Sequence, residues 1–145
     1  EILFEDDQTI ISAIDDGLRR FISFESLNKK TLIEAFEKFY DSYKKVAGTV
    51  NEPMMNILSL YEEKKGWRII IFLRNKHRPS VYFADNEKKI VISPASVDLG
   101  GICITPREKD FINLDKKLIN EILNEVSIPK EKFNFLSKIL IEKLK

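Results

Sequence analysis

Residues 53–79 read PMMNILSLYEEKKGWRIIIFLRNKHRP, and the fold turns on how this stretch is read. Trp67 to Leu73 is an almost unbroken run of β-forming apolar residues. Such a run predicts a central strand covered on both faces rather than a half-exposed one, which would alternate apolar with polar. Met54 to Tyr61 predicts a second strand, and Glu62-Glu63-Lys64-Lys65-Gly66 supplies the turn between them. The two are expected to pair antiparallel, as strands joined by a short connection do. The basic stretch Arg74-Asn75-Lys76-His77-Arg78-Pro79 then closes the second strand.

Upstream, Ile2–Phe4 and Thr9–Ile14 are short β-type runs, and Asp15-Asp16-Gly17 is a turn signal leading into a third run, Leu18–Phe24. Asp-Gly supplies the positive φ angles of a tight hairpin, so an opening meander is expected. Asn28 to Val46 reads as a helix, because Leu32, Phe36, Phe39, Tyr40 and Tyr43 recur at spacings of three and four, which places them on one face. Asn28 suits the N-cap and Gly48 the stop. Its other face carries Glu34, Glu37, Lys38, Asp41, Lys44 and Lys45, a solvated surface.

Downstream, Val81–Ala84, Ile90–Ser93 and Ile102–Thr105 read as further short strands, with a helical turn around Arg107–Phe111 after Pro106. Asp115–Val126 has the spacing of a helix through Leu118, Ile119, Ile122 and Val126. Pro129 suits the first position of a last helix with an apolar stripe of Phe133, Leu136, Ile139, Leu140 and Leu144. The expectation is one α+β domain over residues 1–145: a mostly antiparallel sheet of six to eight strands with about three helices.

Composition bounds the rest. The 145 residues carry 24 basic and 23 acidic side chains, a formal charge of +1. A domain of this size buries enough surface to fold without disulfides or metals. The charge balance argues against a dedicated nucleic-acid binder, which shows a basic excess. With one cysteine, Cys103, an internal disulfide and a multi-cysteine metal site are excluded, and a reducing, cytoplasmic setting is expected. Cys103 itself reads as a small core residue in an apolar run. No stretch approaches the length of a membrane span. The start at Glu1 rather than Met leads to the expectation that the chain is part of a longer product. Neither a metal nor a cofactor is expected.

Two stretches could carry chemistry. The first is Arg74, Lys76, His77 and Arg78: three fixed cations and one imidazole within five residues, at a strand end, where rigid scaffolds place functional loops. Arginine offers a planar fork to phosphate oxygens and lysine a point charge, so these four are candidate phosphate ligands; a solvated basic turn is the competing reading. His77 is the only histidine. A catalytic imidazole needs an orienting partner, and cationic neighbours depress its pKa, so a phosphate-contacting or structural role fits it better. The second stretch is Ser93-Pro94-Ala95-Ser96-Val97-Asp98-Leu99-Gly100-Gly101. Ser93, Ser96, Gly100 and Gly101 are small enough to let a ligand or another strand approach the backbone, and a plain turn entering a strand is the alternative. The spacing matches neither a phosphate loop nor a dinucleotide fingerprint. A hydrolase triad from Ser93 or Ser96 with His77 and Asp98 lacks a nucleophile elbow.

Asn56–Tyr61, Trp67–Pro79 and Ile92–Pro106, continued by Asp110-Phe111 and Glu125-Val126, resemble a family of uncharacterised bacterial proteins over almost the whole chain. Its longer members resemble the histidine-triad and galactose-1-phosphate uridylyltransferase superfamily. Among functional relatives there, they look like dinucleoside-polyphosphate phosphorylases, also called ATP adenylyltransferases, and nucleotide-sugar phosphorylases. In those enzymes an N-terminal half carries the H-x-H-x-H-type motif whose histidine attacks the α-phosphorus, and a related C-terminal half pairs with it. This chain is similar to the C-terminal half only. The resemblance implies a histidine-triad-like half-unit whose partner is the missing N-terminal half and whose ligand is a nucleotide. No residue here can take the nucleophile's role, because no second histidine exists, so the catalytic set is expected to be empty. The alternative is a binding module that completes a sheet with a partner domain or a second copy. Homo-oligomers stay open; a membrane or nucleic acid is not expected as partner.

Overall fold

A computed structural model of the chain describes residues 1–145, apart from the side chain of Asn86. Five strands form one antiparallel sheet: β1 (Ile2–Glu5), β2 (Thr9–Asp15), β3 (Arg20–Ser26), β4 (Met55–Glu62) and β5 (Gly66–Leu73), in the order β1-β2-β3-β5-β4. The hairpin expected from residues 53–79 is present, with Met55 opposite Leu73 and Glu62 opposite Gly66. β5 lies between β4 and β3, an internal position that fits its apolar run.

The long helix is α1 (Lys29–Ala47). Asn28 caps it by accepting from the backbone N–H groups of Lys30 and Thr31, and Gly48 ends it in the left-handed region at φ 69°. Four helices follow the sheet: α2 (Ser96–Leu99), α3 (Glu108–Asn113), α4 (Lys116–Val126) and α5 (Lys130–Leu144). α1 and α5 cover one face. Leu32, Phe39 and Tyr43 of α1 and Phe133, Leu136 and Leu140 of α5 pack on Ile11, Ile22, Phe24, Ile71 and Leu73. The alternate residues of β5 point the other way. Phe72, with Ile70 beside it, meets Leu99 of α2 and Leu123 of α4. β5 is therefore sandwiched, the arrangement its composition calls for. At about 25 cal/mol per Å2, each side chain of this kind taken from water contributes roughly 1.5–3 kcal/mol.

Three strand expectations fail, each for a visible reason. Val81–Ala84 is largely a 3₁₀ turn, Ser80–Phe83, wound by a bond from the Tyr82 N–H to the Pro79 carbonyl. Ile90–Ser93 keeps the buried alternation of a strand at Ile90 and Ile92, but no strand lies beside it; the Val91 N–H goes to the Asp110 carboxylate at 2.8 Å instead. In Ile102–Thr105, the Ile102 N–H bonds the Val97 carbonyl and the Ile104 N–H bonds Asp98. The loop's own groups have replaced a neighbouring strand. The sheet accordingly has five strands rather than six to eight. Cys103, expected in the core, is exposed on that last segment. Among the described residues no helix is long and apolar enough to cross a membrane.

Candidate functional site

The basic loop leaves the end of β5 at Arg74, and its three fixed cations go to different places. Arg74 turns inward and is only 8% exposed. Its Nη1 donates to Asn56 Oδ1 and to the Pro94 carbonyl, each at 2.5 Å, and its Nη2 donates to the carbonyls of Lys76 and His77, each at 2.9 Å. Nε is buried with no partner among the described residues. Burial lowers the Arg74 pKa, and the negative charge of Asp98 opposes the shift. One fork therefore fastens β4, the turn at 76–77 and the loop at 94 to a single point. The backbone of Arg74 is held as firmly. Its N–H bonds the Met54 carbonyl and the Tyr43 hydroxyl, and the same hydroxyl lies 3.0 Å from the Arg74 carbonyl. Burial pushes the Tyr43 phenol up to about 12, so it stays protonated.

Lys76 points to α4 and bonds Glu125 at 2.7 Å. Glu125 also accepts from the Ser80 N–H at 3.0 Å and from the Ser80 hydroxyl. Burial raises the Glu125 pKa, but the hydrogen bonds from Lys76 and Ser80 and the lysine charge outweigh it and bring the carboxyl down to about 2. Arg78 is half-buried, with its guanidinium carbon 4.2 Å from the centre of the Tyr82 ring and its Nε buried without a partner among the described residues. His77 is exposed.

The second candidate loop is braced from within. Asp98 accepts from the Ala95 N–H at 3.0 Å and the Ile104 N–H at 3.2 Å, which ties residues 95–104 into one unit. A Cβ at Gly100 would lie 3.1 Å from the Ser96 carbonyl oxygen and 3.4 Å from Leu58, and Gly101 sits at φ +113°, where a side chain is strained. The paired glycines thus have a local explanation: one close approach and one positive φ. Ser93 and Ser96 are half-buried. Beneath the loop lies a cleft of about 150 Å3 lined by Ile92, Pro94, Asp98, Cys103 and Leu123 among others. Cys103 is exposed overall but its thiol is partly desolvated against this cleft, and that desolvation, then the Asp98 charge, pushes it up, away from the reactive thiolate.

The two candidate stretches are thus neighbours, joined by Arg74 through the Pro94 carbonyl. The three fixed cations do not converge on one point. Arg74 is occupied by protein acceptors and Lys76 by a carboxylate, while Arg78 has no carboxylate partner among the described residues and is braced by an aromatic ring. Sequence reading missed Asn56, Ser80, Tyr82 and Glu125 as parts of this site. Arg78 and Tyr82, at spacing four before an aromatic pair, carry a local signal. The Lys76–Glu125 contact spans 49 positions and carries none.

A family model described as "GDPGP1-like, C-terminal domain" matches residues 20–145. The match begins at the first residue of β3 and takes in both candidate loops. No curated protein and no solved structure matches the chain.

Proposed function

The chain belongs to the GDPGP1-like C-terminal domain family, and on that premise we propose that it is the C-terminal domain of a nucleotide-sugar phosphorylase-type enzyme, a histidine-triad-like half-unit that contributes phosphate-facing charge but no attacking group. The observation that carries the reading is Arg78. It is a cation without a carboxylate partner among the described residues, held over Tyr82 in the loop that follows an internal strand, a loop whose shape is fixed by the buried fork of Arg74. Preorganised cations of this kind stabilise phosphate charge without rearranging at the moment of reaction. Lys76 and His77 flank it on the exposed side of the same loop.

The chemistry left out matters equally. A nucleotidyl-transfer step that passes through a phosphorylated histidine needs a nucleophilic imidazole and usually further histidines around it. This chain has His77 alone, exposed and carrying no orienting bond among the described residues. The attacking group is therefore assigned to a preceding domain. Titrating the chain with pyrophosphate by calorimetry tests the assignment. Binding that weakens by about 10- to 150-fold in Arg78→Ala supports it, as expected for loss of a charge-assisted bond worth roughly 1.5–3 kcal/mol. Binding indifferent to that change, or phosphorolysis of a nucleotide sugar by this chain alone, overturns it.

A second reading, assembly, is favoured by one feature. β4 is an edge strand that pairs only with β5, and Met55 to Tyr61 carries no charge. Ile57, Leu60 and Tyr61 are exposed along it, and an apolar groove of about 280 Å3 runs beside it, between Ile57, Trp67 and Ile69 of the sheet and Leu32, Ile33 and Phe36 of α1. Soluble proteins guard such edges with charge, proline or a covering element. An unguarded one fits a strand from a partner domain or a second copy. The two readings are compatible, since a half-unit needs both a pocket and a seam.

A further inference from the structure

The outer edge of β4 is built to accept a strand, and its backbone shows which residues do so. The Arg74 N–H bonds the Met54 carbonyl, and Met55 lies opposite Leu73. In an antiparallel ladder the residues that bond a given neighbour alternate, so the even positions from 54 to 62 face β5. The N–H and C=O groups of Met55, Ile57, Ser59 and Tyr61 therefore point outward. The side chains of the same residues lie on the α1 side of the sheet. Ile57 and Ser59 wall the apolar groove with Leu32 and Phe36, and Tyr61 meets Trp67 with ring centroids 4.9 Å apart. Free bonding groups and an apolar wall thus share one edge. β1, at the opposite edge, is shielded: it has four residues, is bulged between Ile2 and Phe4, ends in Glu5 and runs on into Asp6 and Asp7.

β4 is also complementary to itself. Its uncharged run Met55–Tyr61 is preceded by Glu52 and followed by Lys64, both exposed and without an ion-pair partner among the described residues. Two copies laid antiparallel about a two-fold axis at Leu58 set Met55 opposite Tyr61 and Ile57 opposite Ser59, so every outward group meets another. Ile57 then enters beside Ser59, the smallest residue of the groove wall. The same register sets Glu52 opposite Lys64, twice by symmetry. Sliding one copy by two residues sets Glu52 against Glu62 in one direction and Met55 against Glu63 in the other. Sliding by one residue opposes outward groups to inward ones. We propose that β4 is the seam of a symmetric dimer, with a second copy of this chain paired antiparallel across Leu58 into one continuous sheet. The dimer rests on the assembly role of β4 and specifies its occupant and register.

Cysteine scanning in a Cys103→Ser background, where no native thiol competes, tests the register. At the axis the two Leu58 Cα atoms form a non-hydrogen-bonded pair about 4.5 Å apart, within disulfide range. Of Ile57→Cys, Leu58→Cys, Ser59→Cys and Leu60→Cys, the Leu58 variant should oxidise to a linked dimer fastest. In sedimentation velocity on the otherwise native chain, Lys64→Glu should weaken the dimer about two- to thirtyfold, the loss of two exposed ion pairs, and adding Glu52→Lys should restore it. Fastest linkage at another position, or a charge swap that restores nothing, overturns this pairing. A chain that stays monomeric at millimolar concentration overturns the dimer. Hydrogen exchange with a synthetic peptide of residues 52–64 then separates the two ideas. Protection of the Ile57 and Ser59 amides by the peptide overturns the second copy alone and leaves the edge to a strand from another domain. Amides that the peptide leaves unprotected overturn the assembly role of β4 as well.

Discussion

At Arg74 the choice of arginine over lysine is a matter of geometry. One planar fork reaches four acceptors on three separate segments: Asn56, Pro94, and the carbonyls of Lys76 and His77. An ammonium carries three donors on a single atom and cannot span them. Arg74→Lys should therefore destabilise the fold by about 3 kcal/mol, the scale of breaking a buried charged network, and Arg74→Ala at least as much; urea denaturation measures both. Arg74 acts as a positioning residue for the loop. A binding defect in Arg74→Lys with unchanged stability would show direct ligand contact instead. Glu125 makes a different prediction. Its carboxyl is depressed in the folded state to about 2 from its ordinary 4.5. A depressed acid contributes stability that is complete above its unfolded pKa and is lost as pH falls through the folded one. Thermal melts should therefore show this contribution intact at pH 6 and declining between about pH 4.5 and 2. In Glu125→Gln the decline over that window should be shallower. An unchanged slope would show that the Lys76 and Ser80 contacts do not hold the carboxylate in solution.

Elements differ in how openly the sequence writes them. α1 and β5 are legible because their signals are local: apolar residues at spacings of three and four for Leu32, Phe39 and Tyr43, and a continuous apolar run for β5. The runs at Val81–Ala84 and Ile102–Thr105 have the same β-forming composition and yet form no strand, because a strand exists only when a neighbour supplies its hydrogen bonds. Here Pro79, Val97 and Asp98 capture the backbone first. Periodicity cannot see that competition. The same logic bears on β4, which, like β1 at the opposite edge, has a neighbouring strand on one side only. If this edge is a seam, Leu60→Lys should shift any concentration-dependent association toward the monomer. Light scattering reads the shift, while circular dichroism stays unchanged because Leu60 is exposed. A chain that is monomeric at high concentration and equally soluble with and without the lysine would remove a second copy as the occupant.

For the molecule as a whole, charge decides among ligands. The candidate loops were legible as basic and as glycine-rich, but their junction through Arg74 and the pairing of Lys76 with Glu125 were not, since both depend on contacts between distant segments. That pairing changes the electrostatic picture. Of the four loop residues, Arg74 and Lys76 are already neutralised or occupied, which leaves Arg78 as the fixed cation open to a ligand, and the net charge of +1 adds almost no far field. Binding should therefore be local and only weakly salt-dependent. A protein that neutralises 6–10 phosphates loses roughly 10³–10⁵ in affinity between 50 and 200 mM salt. Pyrophosphate carries no condensed counterion atmosphere, so one or two contacts to it should cost at most the about four- to twelvefold that this relation would give over that range. Pyrophosphate titrations at the two salt concentrations measure the slope directly. A slope of one or two contacts agrees with a small phosphate ligand held by Arg78 and a neighbour. A steeper one would mean that cations scattered over the surface act together, and the ligand would then be a polyanion much longer than a nucleotide.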